Sequence, residues 1–137
     1  MSYEFDYDIL VNHWKTADSI RVFSEWKLTV INKGTGQITD SICLGSESYY
    51  DFVGNDPKRI RSLVTNSIDS FEVLDYDHGD LIIADLNFDQ KEDIALIRDS
   101  GGNGGPIYDF YVQGQHGHFS RDHYLSDIVW GFPEVIN

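Results

Sequence analysis

Apolar and polar residues alternate over much of the chain. In YEFDYDILV (3–11) Tyr3, Phe5, Tyr7, Ile9 and Val11 fall on one side, with acids between several of them. A period of two is the signature of a strand with one buried face. IRVFSEWKLTVI (20–31) repeats the pattern, with Trp26, Leu28 and Val30 in phase, and NKGTGQ (32–37) supplies the glycines of a hairpin turn. QITDSICL (37–44) then returns as a third strand. Cys43 lies in this apolar run and is expected to be a small buried hydrophobe.

The period changes once. In NDPKRIRSLVTNSI (55–68) Asp56 can cap a helix, Pro57 suits its first turn, and Ile60, Leu63, Val64 and Ile68 recur at helical spacing. Lys58, Arg59 and Arg61 would form its solvated face. Short strand patterns follow: SFEVLD, DLIIAD, DIALIRD, IYDFYVQ and HFSRDHYL, joined by strings of Gly, Asp and Asn. The expected architecture is one domain over 1–137, mainly β, with antiparallel strands and one short helix.

Composition narrows the function classes. The chain has 137 residues, 41% of them hydrophobic and 14% aromatic, enough to bury a core. Its formal charge is −13 and its pI about 4.4. A nucleic-acid binder needs cations to displace counterions from phosphates, so that class is set aside. The charge is lopsided: residues 69–137 carry 14 acids and three bases. A cation or a basic protein surface is the partner such a half suits.

Cys43 is the only cysteine, so no internal disulfide forms. The N-terminus lacks a basic segment followed by an apolar run, which points to a cytoplasmic address, or a periplasmic one if a leader preceded residue 1. No stretch is long and apolar enough to predict a membrane helix.

The acids concentrate in one place. Residues 75–93 hold seven acids and one base, Lys91. Within ADLNFDQKED, Asp85, Asn87, Asp89 and Asp93 stand at positions one, three, five and nine of a loop, between strand patterns. Hard oxygen ligands at alternate positions, with the Lys91 carbonyl and a last carboxylate, can wrap Ca²⁺. Mg²⁺ demands stricter octahedral geometry, and Zn²⁺ would want His or Cys. The loop is not an EF-hand, since Gln90 replaces the glycine at position six and Leu96 the glutamate at position twelve. DYDHGD (75–80) is a fainter echo, from which Asp77 or Asp80 could add a ligand.

The run IADLNFDQKEDIALIRDSGGNGGPIYDFYV resembles the calcium-binding β-blade of the FG-GAP/VCBS-like family. Its form is closest to small bacterial lysozyme-inhibitor and immunity proteins of that group. The resemblance covers about residues 80–120, including Tyr108, Phe110, Val112 and Phe119 in an aromatic strand pattern and its sequel. GQI at 36–38 also resembles an earlier hairpin of that group. It implies a blade-like β fold, a bound Ca²⁺ and a protein target. Gln90 stands where the family has a glycine at positive φ, so Gln90 costs strain unless the loop opens.

Further candidates come from the remaining motifs. DSGGNGGPIY (99–108) is either a plain β-connector or a glycine-rich loop able to approach another molecule closely; Ser100, Asn103 and Tyr108 are its candidate partner contacts, with Tyr108 alternatively a core residue. In lysozyme-inhibitor-like proteins a protruding loop of this kind fills an enzyme's cleft. His116 and His118, with His123 near, could form a transition-metal site on a strand, but lack a fourth ligand, and a surface cluster is the simpler reading. Ser120, His118 and Asp122 are too close in sequence to form a triad on one strand. Trp130 and Phe132 either close the core or, if exposed, serve as binding anchors.

The expectation is a non-enzymatic, calcium-stabilised binding protein. It would act as an immunity or inhibitor protein against a basic bacterial toxin or cell-wall hydrolase. The alternative is a calcium-dependent structural or glycan-binding module, stacking sugar on Trp130, Tyr49 or Tyr50.

Overall fold

A computed structural model describes residues 4–15, 17, 22–48, 62–64, 79–99 and 105–128. The chain is mainly β and gathers into two compact units, Tyr3–Ile60 and Arg61–Asn137, the second including residues 1–2. Among the described residues no helix is long and apolar enough to cross a membrane.

The first unit is a three-stranded antiparallel sheet of β1 (Phe5–Lys15), β2 (Val22–Asn32) and β3 (Ile38–Ser48), in that order. Pairs such as Tyr7↔Val30, Ile9↔Leu28 and Leu28↔Ile42 put the alternating apolar residues on one face. Phe5, Trp26, Leu28, Val30 and Ile42 are buried there. Asp6, Asp8, Glu25, Lys27 and Ser41 occupy the opposite, exposed face. Asn32 shapes the β2–β3 turn: its Oδ1 accepts from the amides of Gly34 (2.9 Å) and Thr35 (3.0 Å), while Gly36 takes a φ of 70°.

Cys43 departs from its expected burial and is exposed. The cause is parity. Ile42 sits on the apolar face opposite Leu28, so the next residue points the other way, opposite Lys27. An apolar run was not enough to assign its side; the register does that.

The second unit is a five-stranded sheet in the order β4 (Ser62–Val64), β5 (Leu81–Ala84), β6 (Asp93–Asp99), β7 (Ile107–Gln113), β8 (Phe119–Arg121). Among the described residues, β4–β5 is the only parallel pair of this sheet. Leu81, Ile82, Ile83, Ala84, Ile94, Ala95, Leu96 and Ile97 are all buried, so β5 and β6 are covered on both faces. That explains their unbroken apolar runs, which lack the alternation of β1. Tyr108 and Phe110 pack at 6.2 Å between ring centroids on one side of β7.

β4 corrects the predicted helix at its described residues. Leu63 and Val64 fit a helical stripe, yet they pair with Ile82 and Ile83. A short apolar pair satisfies either period, and ladder bonds to a buried strand decide it. The rest of the 55–68 segment lies outside the described residues, as do the predicted strand SFEVLD and the aromatic pair Trp130 and Phe132. HFSRDHYL is a strand only over 119–121; a π-helical turn, Tyr124–Ile128, follows.

Candidate metal loop and an unforeseen charge cluster

The acidic loop spans residues 85–92 between β5 and β6. Its side chains turn back on its own backbone. The Asp89 amide donates to Asp85 Oδ1 and to Asn87 Oδ1, both at 3.0 Å. Asp85 Oδ2 accepts from the Gln90 amide at 2.9 Å, and Asp89 Oδ1 from the Lys91 amide at 3.0 Å. Three successive amides are thereby met by the oxygens of Asp85, Asn87 and Asp89. Such turns are what short Asp and Asn side chains favour. Phe88 (φ 62°) and Gln90 (φ 71°) take left-handed conformations. The loop therefore closes with glutamine at the sixth position, and the strain is borne rather than relieved by opening.

Asp93 plays a different part. It is fully buried, and three backbone amides meet its carboxylate: Leu86 (2.9 Å) and Asn87 (3.2 Å) on Oδ2, and Gln113 (2.9 Å) on Oδ1. One side chain thus ties the start of the loop to the end of β7. Burial pushes its pKa above the ordinary carboxylate value; the three amide bonds pull the other way, and the charge of Asp89 adds to the rise.

The donors are all oxygens, the kind a hard cation takes. Each carboxylate oxygen on the rim that accepts one amide keeps a second lone pair. In donor chemistry Asp85, Asn87, Asp89 and the Lys91 carbonyl suit Ca²⁺. In convergence they fall short of the set the spacing predicts. Among the described residues no three His, Cys, Asp or Glu side chains gather closely enough to hold a metal ion. Asp93 in particular is committed to the amides inside. Of the fainter upstream echo, Asp80 is fully buried and Asp77 lies outside the described residues.

The partner-contact candidates separate. Ser100 and Asn103 lie outside the described residues. Tyr108 is core: it is 1% exposed, and its hydroxyl donates to the Gly79 carbonyl at 2.8 Å. It offers no surface to a partner, because β7 is buried on both faces from Tyr108 to Tyr111. His116 belongs to the 3-10 turn Gln115–Gly117, with a φ of 59°, and so is not on a strand. His118 and His123 are exposed.

A second charged cluster, which residue spacing does not predict, lies on β6, β7 and β8. Asp109 is 3% exposed on β7. Its Oδ1 accepts from Arg121 Nε (3.1 Å) and Nη2 (2.6 Å) and from Arg98 Nη1 (3.3 Å). Arg121 also grips Asp127 with two bonds, Nη1 to Oδ2 (3.0 Å) and Nη2 to Oδ1 (2.8 Å). His123 Nδ1 stands 3.3 Å from Asp127 Oδ2. Arg121, then His123, holds the Asp127 carboxyl well below the usual range, and the hydrogen bonds that Arg121 donates to Asp127 and Asp109 hold its guanidinium charged.

The signal was present in the scarcity of bases. Two of the three bases after residue 68 are Arg98 and Arg121, and both reach Asp109, the one acid of β7, on the face opposite Tyr108 and Phe110.

No family model, curated protein or solved structure matches the chain.

Proposed function

We propose that this chain is a non-enzymatic binding protein, stabilised by Ca²⁺ at the 85–93 loop, that blocks a basic protein target. The target class is a bacterial toxin or cell-wall hydrolase, which makes the chain an immunity or inhibitor protein. The observation that carries the reading is the loop itself. Oxygens from Asp85, Asn87 and Asp89 line up on three successive amides and hold two non-glycine residues at positive φ. Strain of this kind persists where the surroundings require it and is a pointer to function.

Asp85, Asn87, Asp89 and the Lys91 carbonyl would hold the ion, with Asp93 closing the loop beneath them. The ion would supply positive charge to a turn crowded with carboxylates. The resemblance of residues 80–120 to calcium-binding β-blades supports the same reading, as does the excess of acids after residue 68. An acidic surface steers a basic partner and speeds its encounter.

The test is a tagged capture from the source cell's lysate, in calcium and in chelator, read by mass spectrometry. One stoichiometric basic toxin or hydrolase, whose activity falls on addition of the pure chain, is the expected result. Recovery of no such protein in either condition would overturn the inhibitor reading.

A further inference from the structure

We draw no further inference here: the strongest candidate, the exposed Phe88 among the carboxylates at the tip of the β5–β6 loop, belongs to the site already described, and nothing in the structure shows what covers it.

Discussion

Gln90 and Asp93 serve one loop in opposite ways. Gln90 sits at a φ of 71°, where a side chain is disfavoured. Gln90→Gly is expected to raise stability by about 0.5–1 kcal/mol in chelator, read from urea midpoints. Gly36→Ala, at a φ of 70° with open space around the added Cβ, is the control in reverse and should lose about 1 kcal/mol.

Asp93 tests the balance between burial and hydrogen bonding. Its native pKa lies above its unfolded value, so the native state keeps the proton where the unfolded chain has released it. This group's contribution is therefore greatest at low pH and is lost as pH rises from the ordinary carboxylate range through the native value. Urea midpoints in chelator from about pH 4 to pH 7 should show Asp93→Asn gaining on the wild type as pH rises. The wild type gaining instead would mean that the three amides outweigh desolvation.

At the scale of the element, the turn after β8 is held by charge and by one hydroxyl. Ser126 Oγ accepts from the Phe110 amide at 2.9 Å, and the Asp122 amide donates to the Phe110 carbonyl at 2.7 Å. Together they continue the ladder past Arg121, where β8 ends. The two acids that Arg121 bonds differ in exposure. Asp109 is buried, whereas the Asp127 side chain is 45% exposed.

Removing one partner of a buried charge leaves the other uncompensated, while an exposed pair contributes little. Arg121→Ala should cost about 2–3 kcal/mol in urea unfolding, since Arg98 still reaches Asp109. Asp127→Ala should move the midpoint only slightly, because water replaces its bonds. Equal losses from the two variants would show that the cluster acts as one indivisible network.

For the molecule as a whole, the prediction concerns the ion. If the loop binds Ca²⁺ when folded and not when unfolded, calcium at about one hundred times its dissociation constant adds about 2.7 kcal/mol. Melting in calcium and in chelator reads that increment. Asp89→Ala should abolish it and lower stability in chelator by about 1 kcal/mol or less, since its bond to the Lys91 amide lies on the surface. Identical wild-type melts in the two conditions would remove calcium from the proposed function and leave the capture experiment to judge the partner alone.

Legibility differed by element for physical reasons. The phase of β1 and β2 was readable because each has one wet face, so period two survives in the residue types. The acidic loop was readable because its polar residues are spaced by local turns, and local turns need only near neighbours. Mainly β structure, the β2–β3 hairpin and the position of the loop are thus written in residue types and near-neighbour spacing alone.

Other features depended on long-range packing. Leu63 and Val64 became strand because β5 offered a ladder, Cys43 faced outward because β3 took its register from β2, and Tyr108 turned inward with its hydroxyl on Gly79. Asp93 and Asp109 were assigned by burial, one to backbone amides and one to two arginines. A string of residues records what each side chain can do. Which buried acid meets an amide and which meets a guanidinium depends on segments far apart in the chain arriving together, and only the fold brings them there.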